Sequence, residues 1–218
     1  YIHPSTKKSL EKLKVFGNKM IAATTGELAS GLIGEGRMAE PEEIVSFIEK
    51  DILSYLPLSG KKVLITAGPT YESIDRVRFI GNHSTGKMGF EIANVAASLG
   101  AEVFLITGPS SEKERYASIR RINVESAEEM YKVCHEYFSK VSIAILSAAV
   151  ADYKPKNAVN YKIKKKERSL MIELVPTKDI LASLGAIKKK QFLVGFALET
   201  NNELENAIAK IKNKNLDA

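Results

Sequence analysis

Between Ala67 and Gly89 the chain carries Thr70, Glu72, Asp75, Arg76, Arg78, Asn82, Ser84, Thr85 and Lys87. Cations, hydroxyls, an amide and carboxylates this close together suit an anionic substrate. Gly86 precedes a helical pattern, and a helix start offers free amide N–H groups to an anion. Gly81, Gly86 and Lys87 match the spacing G-x-x-x-x-G-K. A P-loop needs a magnesium-binding hydroxyl next, and Met88 stands there. No G-x-G-x-x-G follows the preceding apolar run, so a dinucleotide fingerprint is missing too. The stretch reads as an anion site of another kind.

Other segments carry chemistry with a plainer alternative beside it. Ser147 to Tyr153 sits at the carboxyl end of an apolar run, where small residues let a ligand approach the backbone. Asp152 there suits a magnesium ion or a nucleobase, or simply caps a turn. Lys162 and Lys164 to Lys166 are a solvated arm or a flap that closes on phosphates. Phe196 at a strand end stacks on a base or packs in the core. Lys210 and Lys214 share one helix face. The three histidines, His3, His83 and His135, have no common spacing, which argues against zinc. A lone cysteine, Cys134, excludes an internal disulfide and fits a reducing, cytoplasmic setting.

The elements that must hold these residues follow from hydrophobic pattern. Apolar runs at 62–67, 102–107, 119–124, 142–148 and 192–197 alternate with helical patterns at 86–99, 126–138, 178–188 and 201–213. That alternation predicts an α/β, Rossmann-like, doubly wound and mostly parallel sheet. Tyr161 to Lys166 and Ser169 to Val175 alternate polar and apolar, as the arms of a β-hairpin flap would. Ahead of the linker Pro57 to Gly60, residues 1–56 have their own character. Ser5 to Leu13 reads as a helix capped by Ser5 or Thr6, 18–23 as a strand, and Pro41 to Lys50 as a helix. The division is therefore 1–56 and 57–218. The chain starts at Tyr1 and stops just past a helical pattern, so it is expected to be part of something longer. At 218 residues with a net charge of +6, it suits anionic partners. No apolar run approaches the roughly 20 residues that span a bilayer. No aromatic stripe interleaves the lysines as single-strand binding prefers. Membrane and nucleic acid are thus not expected partners. A Rossmann-type oxidoreductase and a basic nucleic-acid module are the rival readings.

In order, Ala67-Gly68-Pro69-Thr70, Ile74-Asp75, Val77-Arg78, Asn82 through Gly89, Ala148 to Asp152, Lys162 to Lys165, Gly195 to Thr200 and Lys214 to Asp217 resemble one family. It is the phosphopantothenoylcysteine synthetases, the second half of the bacterial bifunctional coenzyme A biosynthesis proteins. The resemblance runs from Lys61 to about Asp217. It implies a ligase that activates the carboxylate of 4′-phosphopantothenate with CTP and magnesium, then joins the acyl-cytidylate to L-cysteine. It places Asn82, Arg78 and Lys162 in the catalysis, and Arg78, Asn82 and Lys87 at the substrate. It places Leu146, Ser147, Ala148, Asp152, Lys162, Lys178, Asp179, Ile180, Leu181, Phe196, Lys210 and Lys214 at the nucleotide. A homodimer through this domain, and a larger homo-oligomer of the whole protein, are implied as well. Residues 1–50 resemble the end of the partnered FMN-dependent decarboxylase, through Gly26 to Gly31 and Gly34 to Ile44. Ser30 stands where that family commonly has its proton-donating Cys, and a serine hydroxyl is a far weaker acid. The family's upstream catalytic His and flavin segment are absent, so FMN is expected in the whole protein and not on these residues.

Overall fold

The computed structural model describes residues 3–27, 31–165, 169–197 and 202–218. The chain divides into two compact units, Tyr1–Leu56 and Pro57–Ala218. In the first, helix α1 (Pro4–Val15) starts with Pro at its first turn, and the His3 ring caps it by accepting from the Ser5 N–H at 3.3 Å. The helix thus begins one residue ahead of the expected cap. The strand expected at 18–23 does not form, because an apolar run makes a strand only where a neighbour completes the ladder. The pairing lies further on, between β1 (Thr24–Glu27) and β2 (Ile33–Arg37). Helix α2 (Pro41–Ser54) opens on Pro41, Glu42 and Glu43, and the Glu40 N–H donates to the Glu43 carboxylate at 3.3 Å.

The second unit runs β3 (Lys62–Ala67), β4 (Tyr71–Ser73), β5 (Phe79–Gly81), α3 (Lys87–Ser98), β6 (Glu102–Thr107), β7 (Ile119–Asn123), α4 (Ala127–Phe138), β8 (Ile143–Leu146), β9 (Tyr153–Pro155), β10 (Leu174–Pro176), α5 (Ile180–Ile187), β11 (Phe192–Gly195) and α6 (Glu203–Asn213). Five strands form one sheet in the order β11-β8-β3-β6-β7, every neighbour parallel. The fold is the α/β, Rossmann-like arrangement that the alternating pattern predicts.

Strand alternation sorts the core into two layers. Val63, Ile65 and Ala67 of β3 join Val103 and Leu105 under α3, with Phe90, Ala93 and Ala97. Leu64 faces the other way, with Phe104, Ile106 and Ala144 against Met130, Cys134 and Phe138 of α4 and Ile180, Leu181 and Leu184 of α5. Burial pushes the Cys134 thiol up to about 12, so it is packed apolar matter and no nucleophile.

Two local arrangements differ from the sequence pattern. The flap is anchored by β9 paired antiparallel with β10, Leu174 opposite Pro155. The first expected arm, within 161–165, is no strand, since its peptide groups are bound by side chains described below. Lys166 lies outside the described residues. The loop after β3 also contains a short antiparallel hairpin, β4 with β5, closed by Tyr71 stacked on Phe79 at 3.9 Å. Among the described residues no helix is long and apolar enough to cross a membrane.

Leu64 is fully buried between sheet and helices. Leu64→Ala is therefore expected to cost about 2–5 kcal/mol, read as a lower urea midpoint of the 57–218 unit. A change below about 0.5 kcal/mol, the range of surface substitutions, would contradict this layering.

Candidate functional site

The chain winds from β3 to β6 and β7, then crosses to the other side of β3 for β8 and β11. Loops leaving β3 and β8 therefore part in opposite directions, and a crevice opens at their carboxyl ends. A cavity of about 220 Å³ lies there, lined by Thr66 of β3, Leu146 of β8 and Phe196 just after β11. Ala148, Val150 and Asp152 supply one wall, Lys178 to Leu181 a second, and Lys210 and Lys214 a third.

Charge in the cavity is arranged by pairing. Asp179 caps α5 by accepting from the Ala182 N–H at 2.9 Å, and it meets the Lys214 ammonium at 2.7 Å. Burial pushes Asp179 up, but the Ala182 N–H and Lys214 outweigh it and hold the carboxyl below its usual value. The Lys210 ammonium donates to the Phe196 carbonyl. Lys178 bonds Glu128 at 3.0 Å and lies 4.7 Å from the Tyr131 ring centre. Three cations thus converge on one cavity, each already oriented by an oxygen.

Threonine hydroxyls fasten the walls. Thr66 Oγ1 accepts from the Ala148 N–H at 3.2 Å, and Thr70 Oγ1 from the Ala151 N–H at 2.9 Å. The Thr177 hydroxyl donates to the Ala151 carbonyl at 2.7 Å. Glu72, buried, accepts from the Ala127 N–H at 2.7 Å and so ties the first loop to the start of α4.

The polar loop is organised by Asp75, 3% exposed. Its Oδ1 accepts from the Val77 and Arg78 N–H groups, both at 2.8 Å. Its Oδ2 accepts from Arg78 Nη2 at 2.6 Å and Nε at 3.0 Å. The Arg78 guanidinium, with further help from those amides, holds Asp75 well below the usual carboxylate range against the upward push of burial. A carboxyl so lowered contributes fully at neutral pH, and the contribution is lost only as pH falls through that lowered value. Asn82 donates from Nδ2 to the Val150 carbonyl at 3.0 Å, which pins it to a residue of the cavity wall.

Leu146, Ala148, Asp152, Lys178, Asp179, Ile180, Leu181, Phe196, Lys210 and Lys214, all expected at a nucleotide, line the one cavity. Ser147 does not line it. It follows the end of β8, and its hydroxyl donates to the Thr66 carbonyl at 2.6 Å. A Cβ on Gly89 would lie 2.5 Å from Ala67 Cβ and 2.8 Å from Ser147 Oγ, so only glycine lets α3 come this close. Lys162 and Lys87 are exposed and outside the lining as well. Lys87 opens α3 behind Gly86, whose φ of +83° is easy only for glycine. Asn82 stands beside the cavity through its bond to Val150, whereas Arg78 bonds Asp75 and Ile163, neither of which lines it. Ser30 lies outside the described residues. The pattern reading named Thr70, Glu72 and Asp75 in the polar loop without giving them a role, and it missed Thr66 and Thr177. Asp75 did leave a signal, since an Asp accepting from backbone two and three residues on is a common turn former.

A polar cavity at the switch point of a parallel, doubly wound sheet is the place where α/β domains of this architecture hold ligands. Residues 58–218 match the family model described as DNA/pantothenate metabolism flavoprotein C-terminal domain, and the chain belongs to that family. It is 51% identical over 221 residues to a protein named cysteine/cysteine sulfinic acid decarboxylase from an unknown prokaryotic organism, covering 99% of this chain and 62% of that one. It is 44% identical over 219 residues to the coenzyme A biosynthesis bifunctional protein CoaBC of Bacillus subtilis, covering 100% of this chain and 54% of that one. The chain thus spans little more than half the length of the curated relatives it matches. A crystal structure of the C-terminal domain of a CoaBC protein superposes with a TM-score of 0.66 at 46% identity, over 73% of this chain and 76% of that one.

Asp179→Ala removes the cap of α5 and the partner of Lys214. We expect a loss of about 1 kcal/mol for the cap, measured by thermal unfolding. An unchanged melting temperature would contradict the capping role.

Proposed function

We propose that the 57–218 unit is the ligase half of a coenzyme A biosynthesis enzyme. It would join 4′-phosphopantothenate to L-cysteine through an acyl-cytidylate made from CTP. The observation that carries this reading is the cavity at the β3–β8 split, where ten of the residues expected at a nucleotide converge. Its likeness over the whole chain to the Bacillus subtilis CoaBC protein supports it.

The chemistry follows from the residues. A substrate carboxylate attacks the α-phosphorus of CTP, and pyrophosphate leaves. The cysteine amine then attacks the acyl carbon, CMP leaves, and the amine gives up a proton. Lys210 and Lys214 neutralise the triphosphate, and the N-terminus of α5 faces the same cavity. Phe196 offers a ring to the base. Asn82, neutral and held by Val150, orients the activated carbonyl without adding charge, while Arg78 and Lys87 attract the phosphorylated substrate. Lys162 stabilises the charge that develops at the α-phosphate.

Among the described residues no three carboxylate, histidine or cysteine side chains gather to hold a metal. We propose that magnesium arrives with the triphosphate, since this ion keeps several waters and takes one or two carboxylates. Asp152 lines the cavity and is the carboxylate we assign to it. No residue of this chain is assigned to FMN. Decarboxylation and its flavin would belong to the whole protein, with residues 1–56 as the end of that domain. We also propose a homodimer, on the strength of the exposed Val77, Phe79, Leu170, Met171 and Leu174 on the two excursions from the sheet.

The test is pyrophosphate release from CTP with magnesium, 4′-phosphopantothenate and cysteine. Release that needs phosphopantothenate and yields CMP is expected; folded protein that gives none with CTP or ATP would overturn the reading. Asn82→Asp adds a carboxylate that repels the acyl-cytidylate, so ligation should fall at least about 100-fold, the scale of one lost positioning group. Wild-type turnover would reject the role of Asn82. Lys162→Gln should lower kcat more than it raises the KM for CTP, and an unchanged rate would return Lys162 to solvent.

A further inference from the structure

Asp75 takes no part in the chemistry above, yet five hydrogen bonds end on its carboxylate. Four come from its own turn, and the fifth comes from the flap, where the Ile163 N–H donates to Oδ2 at 3.1 Å. Three more contacts join the same two segments. Arg78 Nη2 donates to the Ile163 carbonyl at 2.9 Å. Arg76 Nε donates to Asn160 Oδ1 at 2.8 Å, and the Val159 N–H donates to the Ile74 carbonyl at 3.2 Å. Residues 74–78 and 159–163 are thus clasped together. Both peptide planes that flank Ile163 are held, and one of them is the Lys162–Ile163 peptide itself.

We infer that Asp75 is a positioning residue for the ligase reaction: one carboxylate sets both Arg78 and the flap lysine Lys162. The inference rests on the roles proposed above for those two cations. A turn could be closed without a fifth bond from a segment more than eighty residues away in the chain. That bond ties the turn that carries Arg78 to the peptide that carries Lys162. Asp75 is buried while Arg78 is half exposed, so the carboxylate is the fixed end of the pair and the guanidinium its free face.

Asp75→Asn is nearly the same shape, and it keeps an oxygen for the Val77 and Arg78 amides. It also sets an NH₂ group against the Ile163 N–H and the guanidinium, donor against donor. We expect kcat for pyrophosphate release to fall by roughly 100-fold, with the KM for CTP unchanged. Trypsin, added without substrate, should cut faster after Lys164 and Lys165. Ile163→Pro removes the flap donor, and also fixes the backbone at 163 and restricts Lys162, but leaves the Asp75–Arg78 pair; it should show the same fall and the same faster cutting. Folded Asp75→Asn with wild-type cutting and wild-type kcat would overturn the inference. Should that variant fail to fold, wild-type behaviour of Ile163→Pro overturns it instead. Loss of kcat with an equal rise in KM would also count against positioning. The cleavage needs no substrate, so it judges the clasp even where wild-type protein releases no pyrophosphate, a result that would sink the ligase reading alone.

Discussion

The parallel pairing of β3 with β8, on the far side from β6, governs the rest of the molecule. Chain order and spatial order part company at that pair, and a parallel strand cannot return without a crossover. The end of β3 and the segments that leave β8 and β11 therefore border the same crevice. Small residues after β8 keep it open, and Thr66, Thr70 and Thr177 bond the diverging backbones that would otherwise bury unpaired groups. A cavity forms because the sheet is wound in two directions, and its charge comes from what the loops and the end of α6 bring to it.

The cations are held before any ligand arrives. Lys214 rests on Asp179, Lys178 on Glu128 and Arg78 on Asp75. Each pair is partly open to water, so its net worth to stability is small. Its value is in geometry, because a side chain already restrained loses less freedom on meeting a phosphate. Asp75 goes further than the others, since it also reaches the flap.

Much of this was legible in the sequence. Continuous apolar runs at 62–67 and 102–107 could hardly be other than buried parallel strands, and both formed with those limits. The resemblance named ten residues, among them Ala148 and Asp152, that the fold brings to one cavity. What escaped depends on contacts distant in the chain. The alternation in 161–165 looked like a strand, but Asp75 and Arg78 take the peptide groups of Ile163. The run 18–23 looked like a strand and has no ladder partner. Ser147 looked like a cavity residue, but it follows the end of β8 and its hydroxyl turns to the Thr66 carbonyl, beside Gly89. Burial, which made Asp75 a fixed point, leaves no mark on composition.

The most direct measurement is a crystal structure of this chain with CTP and magnesium. The account predicts the triphosphate against Lys210, Lys214 and the start of α5, with the base beside Phe196. Nucleotide bound instead at the start of α3, with the β3–β8 cavity empty, would contradict it.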